Sequence, residues 1–246
     1  MLFYSLLAAL VVGALSFSGA LSLAISSDKL KRILIYLVAF SAGSMIGAAF
    51  LHLLPEILEE GGEPLEVFVL VLFGFSAFFI LERLLRWHHC HDAECHTHEH
   101  LGWMNLAGDG VHNFIDGMVI FASFLGGPAL GIPVTLSIIM HEIPQELGDF
   151  GVLIYSGFSK KKALIYNFIS ACVALIGVLF AFWLYSYNEA ITAWLVPFAA
   201  GGFIYIAASD LIPEIHKDNK LSRAIFSYVL FIAAIVFMYF MKVLFE

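Results

Sequence analysis

Charge is scarce in this chain. Asp, Glu, Lys and Arg make up 13% of its 246 residues, whereas 61% are hydrophobic and the mean hydropathy is +0.92. A soluble domain is nearer half apolar and a quarter charged. Polar stretches are correspondingly short, which leaves no room for a soluble catalytic domain. Apolar stretches recur instead at eight places: Leu2–Ile25, Ile33–Ile57, Leu65–Trp87, Leu101–Leu125, Leu130–Tyr155, Ala163–Tyr187, Ile191–Ile215 and Ala224–Leu244. Each reaches the roughly 20 residues that cross a hydrocarbon core about 30 Å thick. The first lacks the basic leader of a cleaved signal peptide and is too long for its apolar core, so it is read as a retained helix. The expectation is an all-α polytopic membrane protein with eight transmembrane helices in one domain, residues 1–246.

Basic residues are few and one-sided. Lys29, Lys31 and Arg32, then Arg83 and Arg86, then Lys160, Lys161 and Lys162, then Lys217, Lys220 and Arg223 account for eleven of the twelve, and all fall at alternate connections; Lys242 is the exception. The excess of Lys and Arg in cytoplasmic loops places those connections inside and both termini outside. The opposite side is acidic, with Glu56, Glu59, Glu60, Glu63 and Glu66 around one connection. A negative mouth raises the local concentration of cations; a solvated polar cap is the simpler reading of the same residues. Short loops fit a compact prokaryotic inner-membrane protein.

Spans 2 and 7 share a repeat. Residues 42–57 align without gaps on residues 200–215, with eight of sixteen positions identical, including the terminal Pro-Glu-Ile. The two spans run in opposite directions, so the repeat is inverted, as in many secondary transporters. Spans 1–3 and 6–8 then form the two repeats around a central pair, spans 4 and 5, in a 3+2+3 arrangement.

Lys and Arg are absent from spans 4 and 5, yet these carry the most acid. Asp109, His112, Asn113 and Asp116 share an arc of roughly 100° on span 4. His141, Glu142, Gln145, Glu146 and Asp149 share an arc of roughly 140° on span 5. The connection Gly126–Ala129 is short, so the spans are antiparallel neighbours whose arcs face each other. Ionisable groups at membrane depth mark function by default. His, carboxylate and amide together suit a divalent cation. Interhelical hydrogen bonds account for one Asn or one His, but not for this many acids without a basic partner. Pro144 removes a backbone hydrogen bond and is expected to kink span 5, freeing a carbonyl that is able to face the pathway.

Other groups are less decisive. His52 and Asp210 occupy similar places in the repeat, each three residues before a Pro-Glu pair, and suit either a second site, a proton path or plain structural polarity. Met45 suits the core better than a thioether ligand. Residues 88–100 contribute six His and two Cys: His88, His89, Cys90, His91, Cys95, His96, His98 and His100. Such tracts read as metal-binding, and a reducing cytosol keeps the thiols reduced. An auxiliary, flexible metal-accepting loop is expected rather than a folded zinc domain. Cys172 is read as packing.

With these residues in view, the chain resembles the ZIP family of zinc- and iron-transport proteins. His112-Asn-Phe-Ile-Asp-Gly117 is similar to that family's fourth-helix motif, and His141-Glu-Ile-Pro-Gln-Glu-Leu-Gly-Asp-Phe150 resembles the fifth-helix motif of its LIV-1 branch. The resemblance implies import of Zn²⁺, and of other divalent metals such as Mn²⁺, Fe²⁺ or Cd²⁺, into the cytoplasm by alternating access, usually as a homodimer. It implies that His112, Asp116, His141 and Glu142 are metal ligands, that Asn113 helps form an adjacent or shared site, that Gln145 or Glu146 assists, and that Met45 falls where some relatives place a ligand. Gln145 departs from the pattern, which has His or Glu there; its neutral carbonyl weakens soft-metal coordination and shifts preference toward Mn²⁺ or Fe²⁺. Span 6 has Asn167 and Ser170 instead of a carboxylate, so one principal site is expected. No enzymatic activity is expected, because the His-Glu-x-x-His of a metalloprotease is here His-Glu-x-x-Gln. A different intramembrane zinc hydrolase using His112, Asp116 and His141, or a metal sensor, is the alternative.

Overall fold

A computed structural model describes residues 1–24, 27–87, 99–188, 191–217 and 220–245. Among them there is no strand. The helices are α1 (Leu2–Ala14, continued as a 3₁₀ segment over Leu15–Ala24), α2 (Ser27–Ala48), α3 (Leu54–Glu59), α4 (Pro64–Trp87), α5 (Glu99–Leu125), α6 (Pro128–Tyr155), α7 (Lys160–Ala171), α8 (Val173–Tyr187), α9 (Thr192–Ile206), α10 (Ile212–His216) and α11 (Leu221–Phe245). Six segments are long and apolar enough to cross a bilayer: Leu2–Gly19, Ile33–Glu59, Pro64–Arg83, Lys160–Tyr187, Ala193–His216 and Leu221–Leu244. Helices α5 and α6, with 27 and 28 residues, have the length but not the hydropathy. Their polar side chains are tolerated because other helices pack around them, while large apolar residues such as Phe73 and Phe240 stay exposed on the outer helices. The protein is a multi-pass integral membrane protein.

Packing sorts the helices into two groups. Helices α1, α5, α6, α7 and α8 pack on one another, as do α2, α3, α4, α9, α10 and α11. The groups meet mainly where α2 lies along α6, with smaller contacts of α5 on α9 and α6 on α11. This grouping by contact differs from the three, two and three expected from chain order. Helix α5 is held to α8 by a backbone approach that only glycine permits. A Cβ on Gly117 would lie 1.9 Å from the Ala174 carbonyl oxygen, and one on Gly177 would lie 2.0 Å from that of Phe114. The glycine ending the fourth-span motif is therefore a packing residue.

The two halves of the sequence repeat share an irregularity. Ala49–Leu53 and Ala207–Leu211 are both π-helical turns, in which Leu54 N–H bonds Ala49 O and Ile212 N–H bonds Ala207 O. Pro55 and Pro213 follow each turn. Proline lacks the N–H for the carbonyl four residues back, and a widened turn lets the ladder skip one residue.

Pro144 is handled differently. Helix α6 continues through it, and the Met140 carbonyl that loses its donor accepts a hydrogen bond from Ser41 Oγ on α2. A buried carbonyl in a membrane interior must find a donor, and α2 supplies it. The sixth span is interrupted at Cys172, where α7 meets α8; its thiol is half-buried.

Candidate metal centre

His112 and Asp116 are one turn apart on α5, and His141 and Glu142 are adjacent on α6. The short turn at Gly126–Gly127, with Gly127 at φ 91° and Pro128 at the start of α6, folds the helices back on each other. Four side-chain atoms then converge. His141 Nε2 lies 3.0 Å from Asp116 Oδ2, 3.2 Å from His112 Nε2 and 3.5 Å from Glu142 Oε1. His112 Nε2 lies 3.3 Å from Glu142 Oε1 and 3.7 Å from Asp116 Oδ2. All four donor atoms lie within 4.8 Å of one another. A tetrahedron with metal–ligand bonds of about 2.0–2.1 Å has edges of about 3.3–3.4 Å. The observed separations bracket that value.

Proton placement favours a cation in the centre. His141 Nδ1–H donates to Ser137 O at 3.2 Å, which leaves Nε2 as a lone pair in the neutral ring. That lone pair faces a carboxylate oxygen and a second imidazole nitrogen. Asp116 Oδ2 and both carboxylate oxygens of Glu142 are buried without a hydrogen-bond donor. Asp116, His141 and Glu142 are each at most 1% exposed, and neither helix contains Lys or Arg. Clustered acceptors without a donor are costly in a low-dielectric interior. A divalent cation relieves that cost for all four at once. The set of two imidazoles and two carboxylates suits a borderline metal.

Other residues singled out in the sequence stand apart from this cluster. Asn113 Nδ2 donates to Asp109 Oδ1 at 2.9 Å and to Asp109 O at 3.1 Å. Gln145 Nε2 donates to the same Asp109 Oδ1 at 3.2 Å. Glu146 lies toward α7, where its Oε2 accepts from Asn167 Nδ2. Met45 is fully buried in the apolar core. His52 Nε2–H donates to Met238 O at 3.0 Å from within the first π-turn. Asp210 is half-buried in the second π-turn. Residues 88–98, with His88, His89, Cys90, His91, Cys95, His96 and His98, lie outside the described residues, and of His100 only the helical backbone is described.

A cavity of about 540 Å³ reaches the cluster at His112. It is lined by Asn105, Asp109, Gln145, Asp149, Tyr205 and Asp210, among others, and extends to Glu82 and Tyr155, at the same end as Arg83 and the start of α7. Asn105 Nδ2 donates to Asp149 Oδ1 at 3.0 Å, and Tyr205 donates to Glu82. At the other end Glu56 and Glu60 line a separate cavity of about 300 Å³ beside Gly126 and Tyr185. Buried Val119, Ile120 and Ile138 belong to the apolar core of α5 and α6. Sequence reasoning missed Asn105, Glu82 with Tyr205, and Ser41. Only Ser41 left a trace, since Pro144 announces a carbonyl in need of a donor, but not which helix provides it.

The chain is similar to proteins of known name. A family model described as ZIP zinc transporter matches residues 1–100 and 86–242. The zinc transporter zipt-7.2 of Caenorhabditis elegans is 30% identical over 264 residues, covering 82% of this chain and 57% of that protein. Zinc transporter ZIP10 of Homo sapiens is 40% identical over 147 residues, covering 54% and 18%. Zinc transporter ZIP13 of Pongo abelii is 32% identical over 216 residues, covering 82% and 65%. The chain thus spans less than two thirds of each of these animal proteins. Its two motif helices, its multi-pass helical fold and the family match over nearly its whole length agree: the chain belongs to the ZIP zinc transporter family.

Proposed function

We propose that this chain carries a divalent metal ion, with Zn²⁺ as principal substrate and Mn²⁺, Fe²⁺ and Cd²⁺ as further candidates, across the membrane into the cytoplasm. The observation that carries the reading is the four-atom cluster of His112, Asp116, His141 and Glu142, with separations fitting tetrahedral Zn²⁺. The names of the relatives support the same substrate.

The excess of basic residues at the end of the large cavity makes that end cytoplasmic and both termini external. The ion enters past Glu56 and Glu60, sheds water and is taken by the four ligands. It leaves through the cavity lined by Asp109, Gln145 and Asp149. That cavity reaches His112, which supports reading this arrangement as inward-open. Alternating access then moves one helix group against the other, with the repeat of spans 2 and 7 inverted across the membrane. Neither Gln145 nor Asn113 is needed in the ligand set; both organise Asp109 at the cavity wall. Metal selectivity accordingly follows from the four converged donors rather than from Gln145.

The test is flux of Zn²⁺, Mn²⁺ and Fe²⁺ into proteoliposomes containing a metal-sensitive dye, for the native chain and His141→Ala. Saturable native flux that disappears in a folded His141→Ala protein is expected. Equal flux in both overturns the site. Tight binding with no flux of any metal turns the reading into that of a sensor or an intramembrane hydrolase.

A further inference from the structure

Pro144 lies within α6 beside the metal cluster, three residues after His141. Its nitrogen carries no hydrogen, so the Met140 carbonyl lacks its ladder donor. The donor comes from another helix: Ser41 on α2 is fully buried, and its Oγ hydrogen-bonds Met140 O. The same hydroxyl lies 2.8 Å from Leu37 O on its own helix. In the helical ladder Leu37 O takes the amide of Ser41, whereas Met140 O has no amide four residues on. The single hydroxyl proton therefore belongs to Met140, the residue bonded directly to His141.

We infer that Ser41 is a positioning residue of the metal site, holding the α6 backbone at Met140, where the ladder lacks a donor, so that His141 and Glu142 meet His112 and Asp116. The inference rests on the reading of that cluster as the transport site. The bond also crosses between the two helix groups, from α2 to α6. It thereby ties ligand geometry to the relative position of the groups. Without the hydroxyl, a buried carbonyl is left without a partner, and α6 relieves this by shifting at the residue next to a ligand.

A double-substitution cycle on the full-length chain tests this, with Zn²⁺ affinity read by chelator competition and Zn²⁺ flux read in proteoliposomes. Ser41→Ala is expected to weaken affinity and raise KM roughly tenfold, with a smaller change in maximal rate. Ser41→Thr keeps the hydroxyl and stays within about twofold of native. Pro144→Ala restores an amide to the Met140 carbonyl, so adding Ser41→Ala to it changes affinity by less than about twofold. An equal loss from Ser41→Ala in both backgrounds, no loss in either, or a Thr variant as weak as the Ala variant overturns the inference. If Ser41→Ala alone does not fold, the double variant must fold and bind; its failure is equally fatal. A native chain that binds Zn²⁺ without carrying it would remove the transport reading, while the affinity cycle would still decide the role of Ser41.

Discussion

The Nε2 atoms of His112 and His141 stand 3.2 Å apart, although 29 residues separate them in sequence. Two imidazole nitrogens approach this closely only with a proton or a cation between them. Asp116 and Glu142 close the same space, so the proposed site has four side chains aimed at one centre. Removing either imidazole by His112→Ala or His141→Ala is expected to weaken Zn²⁺ binding about 100-fold or more, beyond the 10–100-fold typical of lost outer partners. Chelator competition on purified protein checks this. A change below about tenfold would show that the imidazoles are not ligands.

Metal loading should stabilise the fold. Ligand that binds only the folded state adds about 2.7 kcal/mol at 100 times its Kd. Zn²⁺ added to metal-stripped protein should raise the melting temperature of the native chain and leave that of His141→Ala nearly unchanged. An equal rise in both would place the stabilising ion elsewhere.

Asn167 and Glu146 form a pair separate from the cluster. Replacing Asn167 with Leu leaves a buried carboxylate without its donor and should destabilise the protein by about 1–3 kcal/mol. Zn²⁺ affinity should hardly move, because Glu146 faces α7. Thermal unfolding and a binding titration on the same sample separate the two effects; a large affinity loss at native stability would bring Glu146 back into the ligand set.

Two glycines of the motif helices should respond in opposite ways. Gly117→Ala drives a methyl into the Ala174 carbonyl and should cost about 1–3 kcal/mol through forced separation of α5 and α8. Gly148→Ala meets open space on α6 and should be neutral or stabilising by up to about 1 kcal/mol. Melting temperatures of the pair, in the same detergent, decide it.

Deleting residues 88–98 removes most of the His- and Cys-rich loop while leaving the start of α5 intact. The expected result is slower or less regulated flux with the basic transport retained. Abolished flux would make the loop part of the pathway.

Much was legible in the sequence because the relevant physics is local or one-dimensional. A span must be long and apolar, which exposed six segments outright. The other two expected spans, α5 and α6, have the length but a lower hydropathy, because they carry the acidic and His side chains of the candidate site. The repeat of residues 42–57 and 200–215 was readable letter by letter, and both copies indeed carry a π-turn before their proline. The i, i+4 spacing of His112 and Asp116 put them on one helix face, and the motif on the next span supplied their partners.

The arcs, however, were too broad to choose among their members. A sequence assigns residues to a face about 100° wide; only rotation of α5 and α6 against their neighbours decides which point into the centre. That rotation gave Asn113 and Gln145 to Asp109, and Glu146 to Asn167. It also decided the fate of the Met140 carbonyl. That Pro144 would free it follows from proline chemistry alone. That Ser41 would take it depends on α2 lying along α6, a contact 99 residues distant in the chain. The sequence by itself determined the class, the long apolar segments and the polar residues of the two motif helices from which the cluster is drawn. The tertiary structure decided which polar groups form the centre and which form its support, because hydrogen-bond donors in a membrane interior come from whichever helix packs closest.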